Sequence, residues 1–571
     1  MNNNNKIVKK FSKYKIYDLL IFLIFIFALA FRMIASARLP YNAYESAIVQ
    51  ALFEENAGVQ VLTSPIEAIL IKITYFFFGS VKMGARIWPI LAGSILVFIP
   101  YLFRKFIGRR LGFILSVVIS FEPFLLANSI QIGSNIFSIF GLAVVMVGLP
   151  RKNKRILMAG ILLILLSGRG LLPSLLIIGI SRLLEDHLGE RRLIGNLENH
   201  RNFKKHKSRY FVGLSILILL FLLGVIFRID FASFLSSIVL LFPETFLSYF
   251  RYASVAGLPV VFTSYSPLVI LLFGYFCFQN RKVKKDLILK LLAVVFTGMV
   301  WLLIVPGKNY LDLVWLSIPM LIGAGWAIKE NFSHFSWKNN LNIIVIIIFV
   351  MLVSISTSFS QFIYQGKNNF SQTASLMNII TMLFFFLLGF IIFLFINDRK
   401  QYLAAAGMAL IVLIFIIQAA FSFRVAGFTP DLSQELLLPG AIANTESAKE
   451  LIKMRSITKK FANEKMTIAL ERGLSPQLEI ELGDYRITHI LGEVSGPIPY
   501  DILITNSETI GNTGSFIGQA FVADAYPKWV ESPVLSLLDY DYWSWLIFRN
   551  SNLTTKTNIL WYATENNNDA G

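Results

Sequence analysis

Cysteine and histidine are rare in this sequence, and charge is sparse. The one cysteine in 571 residues, Cys277, falls inside an apolar run, which excludes an intrachain disulfide framework and a cysteine metal site. The five histidines are dispersed: His187, His200 and His206 share a basic loop, His334 lies in another, and His489 is near the carboxyl end. No zinc-ligand spacing results, no cofactor is indicated, and a divalent metal has no ligand pattern to support it. Charged residues make up only 15% of the chain, against about 25% in ordinary soluble domains. That shortage excludes a water-soluble fold for most of the length.

What fills the space is hydrocarbon. The chain is 56% hydrophobic with 51 Phe and a mean hydropathy of +0.65, and runs such as Ile21 to Phe31 and Met382 to Phe395 suit helices that face lipid. The formal net charge of +18 would point to nucleic acid if the basic residues formed a patch on a folded domain. Instead they occupy short loops: Lys6 to Lys15, Arg104 to Arg110, Arg151 to Arg155, Arg182 to Arg209, Arg281 to Lys285, Lys329 with Lys338, and Arg399 with Lys400. Every other loop is basic, which predicts a cytoplasmic amino terminus in a multi-pass cell-membrane protein whose partner is the bilayer and not nucleic acid.

Counting apolar runs against these loops predicts an all-α polytopic membrane protein of about thirteen transmembrane helices followed by a soluble α/β domain. The domains read as a basic tail over 1–15, a multi-span region over 16–422 and an extracytoplasmic domain over 423–571. The run after Lys15 has no small-residue cleavage site behind it and reads as a retained helix. Spans fall near 16–35, 86–103, 112–128, 135–149, 156–167, 171–184, 210–227, 262–279, 287–305, 311–328, 341–358, 376–396 and 402–422. The pair flanking Ser167-Gly168-Arg169-Gly170 is short, roughly a dozen residues each, so the turn between them is expected inside the membrane envelope, where irregular backbone is tolerated only beside a cavity. Two outer loops are long, 36–85 and 229–261, and in the first Ile66 to Phe78 suits an interfacial helix.

Beyond Phe423 charges of both signs appear. Ser447 with Glu450 fits a capping box that opens a helix to about Phe461, and Met466 to Leu470, Ile487 to Leu491 and Asp501 to Thr505 suit short buried strands. Trp529, Tyr540, Tyr542, Trp543, Trp545, Trp561 and Tyr562 suit a domain core or an interfacial belt, with a sugar-stacking face as the sharper alternative.

Few carboxylates are available for chemistry at the outer face. Glu45, just beyond the first span in Leu39-Pro40-Tyr41-Asn42-Ala43-Tyr44-Glu45, suits a general base acting on an acceptor hydroxyl or amine; the plainer reading is a cap on a helix starting near Tyr44. Glu122, beside Pro123 near the end of a span, is either paired or lines a wet cavity. Arg86 either snorkels or faces a donor pocket. Glu67 and Lys72, and Arg228, Asp230, Glu244 and Arg251, read as surface polar residues.

The order of features over residues 1–330 resembles the GT-C membrane glycosyltransferases, which include protein O-mannosyltransferases and the lipid A aminoarabinose transferase. In these a first span leads to an outer acid, a Pro-containing amphipathic segment ending in Phe-Gly, and an Arg opening the next span. Here Glu45, Ser64-Pro65, Phe78-Gly79 and Arg86 follow in that order, then Phe121-Glu122-Pro123 to Ser129, the break at Gly168-Arg169-Gly170, and Gly307-Lys308-Asn309-Tyr310 before a span containing Pro319. Family-39-like and archaeal-type flippase-associated members are nearest in flavour. They have an acid at Tyr44, His-Gly-Pro or Pro-Pro where Thr63-Ser64-Pro65 stands, and Asn-Asp where Ser134-Asn135 stands.

The resemblance implies inverting transfer of a sugar from a polyprenyl-phosphate donor to a glycan, lipid or protein acceptor outside the membrane. Glu45 would be the base and Arg169 the ligand of the donor phosphate. Arg86, Lys308, Tyr310, Asn135 and Glu122 would line the substrate site, Asn135 through hydrogen bonds to sugar. Two alternatives stand beside it: a lipid-linked saccharide transporter or flippase, and a degenerate member that binds lipid-linked sugar without chemistry.

Overall fold

The computed structural model describes residues 2–53, 64–79, 82–104, 108–148, 153–187, 257–280, 285–304, 309–334, 341–396, 399–428, 432–438, 467–471, 474, 486–490, 500–506, 516–532, 537 and 539–563. The expected span at 210–227, most of the loop at 229–261 and the expected helix from Ser447 to Phe461 lie outside them. The chain divides into two compact units, Met1–Arg38 with Leu62–Phe428, and Leu39–Val61 with Thr429–Gly571.

The first unit is helical: α1 (Asn2–Arg38), α3 (Pro65–Phe78), α4 (Lys82–Ile95), α5 (Ile99–Leu102), α6 (Arg109–Ser120), α7 (Pro123–Ile130), α8 (Ile136–Gly148), α9 (Lys154–Leu165), α10 (Leu171–His187), α11 (Leu258–Tyr265), α12 (Pro267–Asn280), α13 (Lys285–Ile304), α14 (Val314–His334), α15 (Leu341–Lys367), α16 (Thr373–Ile396) and α17 (Arg399–Val425). α2 (Ala43–Phe53) belongs to the other unit. Among the described residues five stretches are long and apolar enough to cross a membrane: Tyr17–Arg38, Met83–Leu102, Tyr310–Lys329, Ile344–Lys367 and Ala405–Val425. Two bent pairs, α6 with α7 at 59° and α11 with α12 at 89°, bring the number to seven if each is one span. This is a polytopic membrane fold, and its outward leucines, isoleucines and phenylalanines, Phe296, Ile346 and Phe384 among them, are exposed because lipid is their solvent.

One local device makes the breaks. Ser64-Pro65, Glu122-Pro123 and Ser266-Pro267 each put proline at the first position of a helix. There its missing N–H costs nothing, while the residue before it is pushed out of the helical region. α6 therefore cannot run on into α7, nor α11 into α12. The expected break between short helices is also present: α9 ends at Leu165, a 3-10 turn occupies Gly168–Gly170, and α10 begins at Leu171.

The second unit holds a five-stranded sheet of β1 (Thr467–Glu471), β2 (Arg486–Ile490), β3 (Ile502–Thr505), β4 (Phe516–Pro527) and β5 (Leu553–Ala563), in the order β2-β1-β3-β5-β4. β1 pairs in parallel with β2 and β3, whereas β5 runs antiparallel to β3 and β4. The three expected strands match β1, β2 and β3 to within a residue or so, because buried strands of a parallel sheet read as short continuous apolar runs. Ile468, Leu470, Ile502, Ile504, Phe521 and Leu560 form the core on one face. α18 (Tyr540–Phe548) carries Tyr542 and Trp545, which pack on Trp529 with ring centroids 5.1 and 4.6 Å away. All three rings are buried, which assigns them to a core.

Candidate functional site

α7 is eight residues long and buried throughout. It ends in Asn128-Ser129-Ile130, after which the chain turns through Gln131 to Asn135, with Gly133 at a φ of 70°, a left-handed conformation that glycine adopts without strain. Asn128 staples this loop. Its Oδ1 accepts from the Asn135 amide at 3.0 Å, and its Nδ2 donates to the carbonyls of Phe124 at 2.8 Å and Leu311 at 3.1 Å. Ser134 Oγ donates to the Asn128 carbonyl.

Three other segments close on the same loop. Asp312, in the 3-10 turn Tyr310–Leu313 that opens α14, accepts from Asn135 Nδ2 through Oδ1 at 2.9 Å and from the Asn309 amide through Oδ2 at 2.9 Å. Glu67, on α3, accepts from the Gly133 amide at 3.0 Å. The break after α9 arrives by way of serine: Ser138 Oγ donates to Ser167 Oγ at 2.6 Å, and Ser64 Oγ and the Ile66 amide both donate to the Leu166 carbonyl. Gly170 packs so tightly that a Cβ there would stand 1.9 Å from Ser138 Oγ and 3.3 Å from Asn135 Oδ1.

The result is a polar knot inside apolar helices. Glu67, Asn128, Asn135 and Asp312 are all at most 2% exposed. Removing such groups from water costs several kcal/mol each unless hydrogen bonds replace the lost hydration. Asn135 Oδ1 has no partner among the described residues. The arrangement therefore fixes two carboxylates through N–H donors from other segments in a water-poor setting and leaves one amide oxygen free to accept. Among the described residues no three His, Cys, Asp or Glu side chains converge as metal ligands would.

The structure brings Asn135, the turn that begins at Tyr310 and the backbone of the Gly168–Gly170 turn together, and Tyr310 is buried. The Arg169 side chain and Lys308 lie outside the described residues. Glu122 sits at the opposite end of α7, about 12 Å away at 1.5 Å per residue. There it caps α7 through the Leu125 amide at 2.7 Å and accepts from Ser266 Oγ at 2.7 Å. Since Ser266 is the residue at the second bend, this fully buried carboxylate joins both helix breaks. Arg86 is buried and donates from Nη1 to the Ser36 carbonyl at 3.0 Å, so it does not snorkel to the surface.

Glu45 belongs to the second unit. Its Oε2 accepts from the Asn42 amide at 3.1 Å while Asn42 Oδ1 accepts from the Glu45 amide at 2.8 Å. This is a reciprocal capping box at the start of α2.

Sequence reasoning placed Glu67 on the surface, and the structure corrects this: the residue is 0% exposed, because α3 turns its amino-terminal half inward and leaves only Phe76 to Phe78 outside. Asp312 and Asn128 were not singled out. A lone acid at the mouth of an apolar span, three residues after an Asn, was the available signal for Asp312. Asn128 carried no signal of its own, since it closes the expected span at 112–128 with no charged neighbour to mark it.

No protein-family model matches the chain, and no curated protein matches it. Two solved structures are similar over nearly the whole length. The crystal structure of ArnT from Cupriavidus metallidurans in the apo state is 12% identical, covers 95% of this chain and 97% of that one, and gives a TM-score of 0.48. The structure of the same protein bound to undecaprenyl phosphate is 13% identical, with coverage of 97% and 98% and a TM-score of 0.45.

Proposed function

We propose that this chain is a GT-C-type membrane glycosyltransferase, which moves a sugar from a polyprenyl-phosphate donor to an acceptor on the extracytoplasmic face of the cell membrane. The observation that carries the reading is the polar knot. Segments that the sequence places far apart, around Ser64-Pro65, Ser134-Asn135, Gly168-Arg169-Gly170 and Asn309-Tyr310, are bonded into one buried centre. These are the segments that follow one another in the glycosyltransferase pattern. A membrane protein has no packing reason to bury two carboxylates and two amides at the ends of four helices, because an apolar core is at least as stable.

In this reading Arg169 takes the donor phosphate from its turn, with Lys308 and Arg86 adding positive charge. Asn135 and Tyr310 orient the sugar, Glu122 holds the bent helices that frame the site, and Glu45 is the general base for the acceptor. Binding without chemistry is the second reading, and the capping box around Glu45 favours it, since that carboxylate already has a structural task.

Purified protein in bilayer discs, given radiolabelled polyprenyl-phosphate sugars and a mixture of glycan and lipid acceptors, tests both. The proposal predicts transfer by the wild type, loss of transfer with retained lipid binding in Glu45→Gln, and loss of both in Asp312→Ala. Lipid binding with no transfer by the wild type would leave the second reading standing.

A further inference from the structure

Arg32 lies in the first membrane-crossing stretch and is 0% exposed. Its Nε donates to Ser129 Oγ at 2.8 Å and its Nη1 to the Ala28 carbonyl at 3.2 Å, one turn back on the same helix. Nη2 has no partner among the described residues, and no described carboxylate forms an ion pair with the guanidinium. The place is built for this side chain: a Cβ on Gly93 of α4 would fall 2.3 Å from Ser129 Cβ and 3.4 Å from Arg32 Nε.

A buried cation with two neutral hydrogen bonds and no counter-charge is costly in a low-dielectric medium, and an apolar side chain of similar size would be as stable or more so. The nearest carboxylates the knot offers, Glu67 and Asp312, are already engaged by the Gly133 amide, Asn135 Nδ2 and the Asn309 amide, so an anion brought by a ligand would give this cation a partner that the described residues do not. Arg32 stands beside the knot: Ser129 follows Asn128, and Asn128 holds the Asn135 amide.

We infer that Arg32 supplies a fixed positive charge that draws the phosphate of a lipid ligand to the knot by its field, without touching it. The inference rests on the proposed use of a polyprenyl-phosphate donor and assigns a residue to that use. At an effective dielectric constant of about 20, two unit charges about 10 Å apart attract strongly enough to change affinity about tenfold. Because the charge is buried, salt screens it little.

Binding to the full chain in phosphatidylcholine discs tests this with three probes: a polyprenyl monophosphate, the uncharged polyprenol of the same length, and a diacyl phosphatidate. The expected result is that Arg32→Met weakens binding of the polyprenyl monophosphate about tenfold at both low and high salt and leaves polyprenol binding unchanged, while Arg32→Lys keeps the wild-type affinities. Arg32→Met should melt no lower than the wild type, so loss of fold does not imitate the effect. Equal weakening of monophosphate and polyprenol, or a Lys variant as impaired as the Met variant, would show a packing role and overturn the inference. Unchanged monophosphate affinity in an Arg32→Met protein that still transfers sugar overturns it and leaves the enzyme reading intact. Phosphatidate bound as tightly as the polyprenyl lipid, with the same dependence on Arg32, supports the inference while removing the polyprenyl donor.

Discussion

Asn135 and Asp312 are 177 residues apart in sequence and share a 2.9 Å hydrogen bond inside the helical unit. One end of that bond is a loop between two helices and the other is the first turn of a membrane-crossing stretch, so the pair couples the two at a point where neither side chain reaches water.

Breaking this pair is expected to destabilise more than removing it. Asp312→Ala leaves the Asn135 amide and the Asn309 N–H without an acceptor, at a cost of about 1–3 kcal/mol each. The Asn135→Ala and Asp312→Ala double-mutant cycle should return a coupling of about 0.5–3 kcal/mol in thermal or denaturant unfolding in detergent. A coupling indistinguishable from zero would mean that the bond contributes nothing to the fold.

At Gly170 the expectation is steric. The added methyl of Gly170→Ala would collide with Ser138, whose Cβ would lie 2.4 Å away, and overpacking of this kind typically costs about 1–3 kcal/mol. Ser138→Gly in the same chain should restore most of the loss, measured as melting temperature. No rescue would show that backbone conformation, not the contact, is responsible.

Glu122 should behave as a clamp. Glu122→Ala removes the cap of α7 and the acceptor for Ser266 together, with an expected loss of about 2 kcal/mol or more. Ser266→Ala removes only the second bond and should cost about half as much. Hydrogen exchange of amides at both bends is the direct check, and faster exchange at only one of them would argue against a shared clamp.

Gln is a good capping-box residue at the third helical position, so Glu45→Gln should leave α2 folded, with melting within about 0.5 kcal/mol of the wild type. Asn42→Ala should cost about 1 kcal/mol. Any activity lost in Glu45→Gln then reports on chemistry, whereas a matching drop in stability would reduce Glu45 to its cap.

Much was legible in the sequence for simple physical reasons. Long apolar runs have no stable place but a bilayer, and alternating basic loops delimit them, so the helices around Phe25, Leu321 and Ile414 needed no tertiary information. The break at Ser167-Gly168-Arg169-Gly170 was legible too, through its local backbone geometry, whereas the bends at Glu122-Pro123 and Ser266-Pro267 interrupt what the sequence presents as single spans at 112–128 and 262–279. Strands β1 to β3 were visible as short apolar runs between turn residues.

What only the tertiary structure decided is which polar residues share an interior. Glu67 looked like the wet side of an interfacial helix, since its neighbours along the chain suit either environment; the amide of Gly133, 66 residues away, is what makes burial tolerable. Asp312, Asn128 and Arg32 are single polar residues in apolar surroundings, and sequence alone does not tell whether such a residue faces a partner, a ligand or water. Periodicity is a local property of the chain, whereas the partner that compensates a buried charge arrives from a distant segment.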